Sequence, residues 1–229
     1  MRLGRRQQRH IVIGSSILLL LGCLIWLGGT LNAGGDFTID SAALLAIHSH
    51  TTPVIDAIVV HTTDMAGPMI VVGVGLLVGA VLLSRKKYSK GALVWAMILG
   101  AAALVYSVKL FIERPRPSLW SAPLVHETGF SFVSGHATMS VTLALAIIVV
   151  VWRTRWKWLA IIAGAVYCVY VAFTRLYLGV HYPTDIVGGW MLATAWVLCV
   201  VEVNTIVKNR IARRTRPSVG APSSPRSVD

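Results

Sequence analysis

The stretch Ile11–Leu31, IVIGSSILLLLGCLIWLGGTL, runs for 21 residues without a charged side chain. A helix of that length spans about 30 Å, the thickness of the hydrocarbon layer of a bilayer. It has no polar face to turn towards water, so its natural solvent is lipid. Five further runs of the same character follow: Met65–Leu83, Gly91–Phe111, Val133–Val151, Trp156–Thr174 and Thr184–Val207. Over the 229 residues, 55% are hydrophobic and only 13% charged, and the mean hydropathy is +0.71. A water-soluble domain carries about a quarter charged residues, so too few charges exist here to coat a solvated surface. The sequence predicts an all-α, polytopic membrane protein built as a six-transmembrane-helix bundle. Disordered, collagenous and disulfide-stapled chains are excluded. The basic stretch before the first run is compatible with a signal peptide, but the run exceeds an h-region of roughly 7–15 residues. A retained first helix is expected. Cys23, Cys168 and Cys199 each lie within an apolar run and read as small buried hydrophobes.

The net charge of +12 invites a nucleic-acid reading, but its distribution points to a membrane. Seventeen of the 21 Lys and Arg lie in short polar segments that flank apolar runs. They are Arg2, Arg5, Arg6 and Arg9; Arg85, Lys86, Lys87 and Lys90; Arg153, Arg155 and Lys157; and Lys208, Arg210, Arg213, Arg214, Arg216 and Arg226. With six crossings all four clusters fall on one side, which the positive-inside rule makes cytoplasmic. Both termini are then cytoplasmic. Residues 1–10 form a basic N-terminus, 11–207 the membrane domain, and 208–229 a basic tail whose Ser/Pro-rich end is expected to be disordered. No nucleic-acid partner and no obligate protein partner are implied.

Of the opposite loops, Asn32–Asp64 carries no Lys or Arg at all. Its Asp36, Asp40, Asp56, Asp64, His48, His50 and His61 raise the possibility of a metal site, but their spacing matches no defensible ligand pattern. Alternation of polar and apolar residues from Ile39 to Val60 predicts a short interfacial helix instead. The four remaining cations, Lys109, Arg114, Arg116 and Arg175, lie at the outer ends of the third and fifth spans, against the bias the other seventeen obey. Such residues are candidates for function, with snorkelling anchors as the alternative.

Three segments gather unusual residues at that edge. In Lys109–Pro117, KLFIERPRP, the prolines push Arg114 and Arg116 out of helical conformation and end the third span. Lys109 and Arg116 can then point at one anion, a point charge and a planar fork suited to phosphate oxygens. In Phe130–His136, FSFVSGH, Ser134 is a natural N-cap and Gly135 admits a close approach to the backbone. The helix N-terminus that follows attracts anions, with His136 beside it to donate a proton. In Thr174–Asp185, TRLYLGVHYPTD, Arg175 ends the fifth span and Pro183 opens the sixth. Asp185 can reach back to His181, fix its tautomer and leave the other nitrogen basic, which makes His181 a candidate nucleophile. Taken singly, the second and third segments have a capped helix with an interfacial His and a satisfied interfacial His–Asp pair as their alternatives. Asp185 is committed to His181, leaving only Glu113 and Glu127 nearby, so no metal or other cofactor is expected and the cations neutralise the phosphate. His126 and Glu127 are expected to be solvated loop residues, with contact to a head group as the alternative.

Together, Lys109 to Arg116-Pro117, Ser134-Gly135-His136 and Arg175 to His181 to Asp185 resemble the three motifs of the type 2 phosphatidic acid phosphatases. These are Lys-x6-Arg-Pro, Pro-Ser-Gly-His and Ser-Arg-x5-His-x3-Asp, a site shared with vanadium haloperoxidases and bacterial acid phosphatases. Val133 stands for the motif Pro and Thr174 for the motif Ser. The resemblance implies a lipid phosphatase in which His181 is the nucleophile, Asp185 its orienting group and His136 the general acid and base. Lys109, Arg116, Arg175, Ser134 and Gly135 would hold the phosphate. It further implies a lipid phosphate or diphosphate substrate drawn from the bilayer, such as undecaprenyl diphosphate, phosphatidylglycerophosphate or phosphatidate. The expected setting is the plasma membrane of a bacterium, with the site on the extracytoplasmic face. The alternative is a phosphotransferase of similar architecture that passes the phosphoryl or head group to another acceptor. A non-enzymatic transporter would instead place broken helices at mid-membrane.

Overall fold

The computed structural model describes residues 4–64 and 67–214, and contains eight helices and no strand among them. They are α1 (Arg5–Asn32), α2 (Thr38–His48), α3 (Pro53–Thr63), α4 (Pro68–Ser84), α5 (Tyr88–Ile112), α6 (Gly135–Val151), α7 (Lys157–Tyr177) and α8 (Pro183–Arg214). Six of them cover the six apolar runs. Four (α1, α5, α7 and α8) are long and apolar enough to cross a bilayer, while α4 and α6 are apolar but only 17 residues long. Large apolar side chains point outwards along these helices, with Met69 84% and Phe111 81% exposed. A face of that kind belongs in lipid rather than water, and the chain is a multi-pass membrane protein.

The segment between α1 and α4 departs from expectation. In place of one interfacial helix, α2 and α3 meet at 120°. Pro53 disfavours helical backbone at Thr52, and Thr52 Oγ1 caps the new helix by accepting from the Ile55 N–H at 3.4 Å. The hairpin packs on α7 and α8, close to the motifs. Its carboxylates and histidines disperse. Asp56 accepts from the Tyr177 hydroxyl at 2.6 Å, His61 turns to its own helix at Ala57 O, and His48 stacks on Trp120 with ring centroids 4.1 Å apart.

Helix α6 lies at the centre and touches α4, α5, α7 and α8. Its crossing with α8 is close because Gly189 lacks a side chain, and Gly188 makes room for the loop that leads into α6. A Cβ at Gly188 would stand 2.6 Å from the Phe132 ring, and one at Gly189 2.8 Å from Thr138 Oγ1. Helix α1 packs along α8, where His10 pairs with Glu202. At the α6–α7 hinge, Trp152, Trp156 and Trp158 are exposed, and the Arg155 guanidinium sits 4.8 Å from the Trp156 ring centre. Such rings favour the boundary between hydrocarbon and water. The helical ends overrun the apolar runs: α1 begins at Arg5, and α8 continues to Arg214, so residues 208–214 of the expected tail are helical. Lys, Arg and Ala favour helix, and hydropathy alone cannot see that. The remainder of the tail, 215–229, lies outside the described residues.

Candidate active site

Four helix ends meet at the hairpin side: the C-termini of α5 and α7 and the N-termini of α6 and α8. The 22-residue loop 113–134 joins α5 to α6 over this junction. Glu113 takes a left-handed conformation (φ 49°) that stops α5, its N–H returning to Lys109 O at 3.1 Å. The loop is then tied at its neck. Ser131 donates its N–H to Arg114 O at 2.8 Å and its hydroxyl to Pro115 O at 3.0 Å. Trp120 holds the outer part against Gly179, whose φ of +64° and missing Cβ make room for the indole. Ser134 caps α6 by accepting from the Ala137 N–H at 3.4 Å. Its hydroxyl hydrogen is left for donation.

Arg116 is the hub of the pocket. Its Nε donates to Gly129 O at 3.1 Å, Nη2 to Thr128 O at 3.2 Å and Nη1 to Val180 O at 2.8 Å. Nη1 also lies 3.3 Å from His181 Nε2. Arg175 is fully buried, donates from Nη1 to Thr63 Oγ1 at 2.6 Å, and its Nε has no hydrogen-bond partner among the described residues. Between the two guanidiniums stands Glu127, ion-paired to Arg175 and, at 3.0 Å, to Arg116. Lys109 donates to Phe130 O and lies within electrostatic range of Arg116, Arg175, Glu127 and Asp185. His136 is buried in the first turn of α6, within range of Arg175, Glu127, His181 and Arg116.

His181 Nδ1 lies 3.4 Å from Asp185 Oδ2, within ion-pair range but without a hydrogen bond between them. A guanidinium can only donate, so the Nε2 it faces is the acceptor and Nδ1 carries the hydrogen. Asp185 is held from two sides: Oδ2 accepts from the Tyr182 N–H at 2.9 Å, and Oδ1 accepts from Arg114 at 2.7 Å. Burial pushes His181 down to about 4, with Arg116 and Arg175 acting in the same sense against the opposing pull of Asp185. The imidazole is therefore neutral near pH 7. Burial would raise the Glu127 carboxyl, yet Arg175 and Arg116 hold it below the usual carboxylate range.

Residues 90–209, more than half of the chain, match the PAP2 superfamily. The chain belongs to this family. As a PAP2 protein it is 31% identical over 164 residues to phosphatidylglycerophosphatase B of Bacillus subtilis, covering 69% of this chain and 77% of that one. It is 31% identical over 156 residues to undecaprenyl-diphosphatase BcrC of the same organism, covering 65% and 75%. Its fold is shared with the crystal structure of a transmembrane PAP2-type phosphatidylglycerolphosphate phosphatase from Bacillus subtilis, with a TM-score of 0.71 at 23% identity over 89% of this chain and 98% of that chain. Aquifex aeolicus LpxE gives a TM-score of 0.59 at 21% identity, over 72% and 96%.

Lys109, Arg116, Ser134, Gly135, His136, Arg175, His181 and Asp185 of this PAP2 chain all come to the one junction. Two details differ from expectation. The side of Gly135 where a Cβ would stand faces Pro68 at 3.4 Å and Val105 at 3.7 Å, so that flank is filled by protein and not open to a ligand. Glu127 is not a solvated loop residue: two arginines draw it into the pocket, while its neighbour His126 is exposed. Thr63, from the hairpin and remote in sequence, has no sequence signal, and Asp40 stands out in the sequence only within a possible metal set, not as a partner of Arg114. Arg114 stood out as a misplaced cation but not as a partner of Asp185.

Proposed function

We propose that the chain hydrolyses the phosphate or diphosphate head group of a membrane lipid through a phosphohistidine on His181, without a metal. The observation that carries this is His181 Nε2 lying 3.3 Å from the Arg116 guanidinium, a donor-only group that leaves this nitrogen its lone pair, with Asp185 behind the ring. In-line attack by Nε2 forms the N–P bond as the bond to the leaving oxygen breaks, and His136 protonates that oxygen. His136 then activates the water that releases phosphate. Lys109, Arg116 and Arg175, with the Ser134 hydroxyl and the Gly135 N–H, hold the phosphoryl oxygens where charge develops. The head groups that fit are undecaprenyl diphosphate, phosphatidylglycerophosphate and phosphatidate, and relatives named for the first two support that class. The one-sided basic clusters support six crossings, cytoplasmic termini, and a site on the extracytoplasmic face of the plasma membrane.

Phosphate release from the purified protein in detergent micelles, across those lipids and with a chelator present, tests the proposal. Release from at least one lipid at an unchanged rate is expected. No release from any of them, or strict dependence on an added divalent cation, would refute it.

Glu127 occupies the space between the two arginines that the phosphate needs. Glu127→Gln removes that competing charge, and inorganic phosphate should inhibit about tenfold more tightly, a change of ~1.4 kcal/mol. An unchanged or weaker inhibition constant would show that the carboxylate does not compete with the anion.

The acid limb of kcat/KM contributed by His181 should lie near pH 4 rather than at the ordinary histidine value of about 6.5. The same depression has a stability sign. Below about 6.5 the unfolded imidazole takes up a proton that the folded one refuses down to about 4, so stability falls as pH drops across that window. Thermal unfolding in detergent at pH 5 and pH 7 measures it, with the lower transition expected at pH 5. A His181→Asn enzyme should lose part of that difference.

A further inference from the structure

We propose that Asp40 and Arg114 are positioning residues for His181, which makes the α2–α3 hairpin part of the catalytic apparatus. The proposal rests on His181 being the nucleophile. Asp40, in the first turn of α2, is 0% exposed. A carboxylate taken so completely out of water needs strong partners, and three donors supply them: Arg114 Nη2 at 2.7 Å, Thr184 Oγ1 at 2.6 Å and the Thr184 N–H at 3.0 Å. Arg114 Nη1 donates in turn to Asp185 Oδ1 at 2.7 Å and to Thr184 Oγ1 at 2.8 Å. The guanidinium carbon sits over the Tyr182 ring, 4.0 Å from its centre. One planar fork therefore bridges two buried carboxylates, a task a lysine ammonium cannot reproduce.

The consequence falls on Asp185. With Oδ1 clamped by Arg114 and Oδ2 by the Tyr182 N–H, the carboxylate cannot rotate, and Oδ2 is held towards His181 Nδ1. Arg114 itself is not placed to bind phosphate. Both its amino groups face carboxylates, whereas Arg116 and Arg175 turn towards the pocket and Glu127. The two arginines of the Arg-Pro-Arg-Pro stretch thus divide the labour: Arg114 fixes the group behind the imidazole, and Arg116 faces its reactive nitrogen. Asp40 sets the plane of Arg114 from a helix 74 residues away in sequence.

The test is steady-state kinetics on a lipid phosphate in micelles, with inorganic phosphate as a competing ligand. The variants are Asp40→Asn, Arg114→Lys, their combination, Thr184→Val and, as a reference, His181→Ala. A misaimed imidazole should lower kcat on the order of 100-fold in each of the first two. KM and the phosphate inhibition constant should stay within about twofold, because no anion ligand is altered. The double variant should be no worse than the weaker single one, since both break the same link. Thr184→Val keeps the shape and should lose kcat about tenfold, the worth of one hydrogen bond to a charged group. If kcat stays near the parent value in both single variants, the proposal is overturned. It is equally overturned if KM and the phosphate constant rise in step with the loss, which would make Arg114 an anion ligand. Should both fail to fold, Thr184→Val decides: full kcat there ends the proposal. Normal turnover by His181→Ala would refute the nucleophile instead, whereas an inactive His181→Ala beside an active Asp40→Asn removes only the positioning role.

Discussion

His181→Ala should bind lipid phosphate and fail to turn it over, with kcat down by about 10⁴-fold or more, the scale seen when a nucleophile is deleted from a site that keeps its binding groups. The distinction between binding and turnover follows from how the pocket is fastened. Arg116 is held by the carbonyls of Thr128, Gly129 and Val180, and Arg175 by Thr63 and Glu127. None of those contacts passes through the imidazole. The cations therefore keep their places when the ring is removed, and KM should move by no more than about threefold. Rapid quench with a labelled head group supplies the second measurement: the parent accumulates label on the protein, and the variant does not. Near-parent turnover by the variant would assign the nucleophile elsewhere.

Asp185→Asn should cost nearly as much, about 10³- to 10⁴-fold in kcat with substrate binding preserved, as expected when the acceptor behind a catalytic imidazole is replaced by its amide. The amide is isosteric but brings two donors into a site that needs only acceptors. Oδ1 now accepts from Arg114, and Oδ2 accepts from the Tyr182 N–H and faces His181 Nδ1. If the amide oxygen stays with Arg114, its NH₂ confronts the Tyr182 N–H and the Nδ1 hydrogen. If it flips, the NH₂ confronts the guanidinium. The first arrangement drives the hydrogen from Nδ1 to Nε2, which removes the lone pair that would attack phosphorus. A variant retaining a tenth or more of parental kcat would mean that Asp185 contributes packing rather than orientation.

The apolar runs made the helices legible because a long uncharged stretch has little choice but helix in lipid. Hydropathy set the ends less well, since Arg5 to Arg9 and Lys208 to Arg214 extend helices beyond the apolar stretch that revealed them. At the site, what could be read was what local chemistry dictates: the Ser134 cap, the Pro-terminated third span, and a His–Asp pair four residues apart. Asp40 and Glu127 were not readable for a different reason. Each is a lone carboxylate in a polar segment, and its role is set by arginines 74 and 48 residues away, brought near only by the fold. Arg114 gave half a signal, a cation outside the four basic clusters, and the hairpin that completes it carries no pattern of its own.

Phe111, two residues after Lys109, projects outwards with 81% of its surface uncovered. The greasy exterior thus starts within one turn of a lysine assigned to the head group, so a bound lipid need not leave its leaflet to be cleaved. For such a substrate the collision frequency is set in two dimensions. Diluting it with inert detergent at constant bulk amount should slow the enzyme as the mole fraction in each micelle falls, and assays compared only by molarity would rank the lipids wrongly.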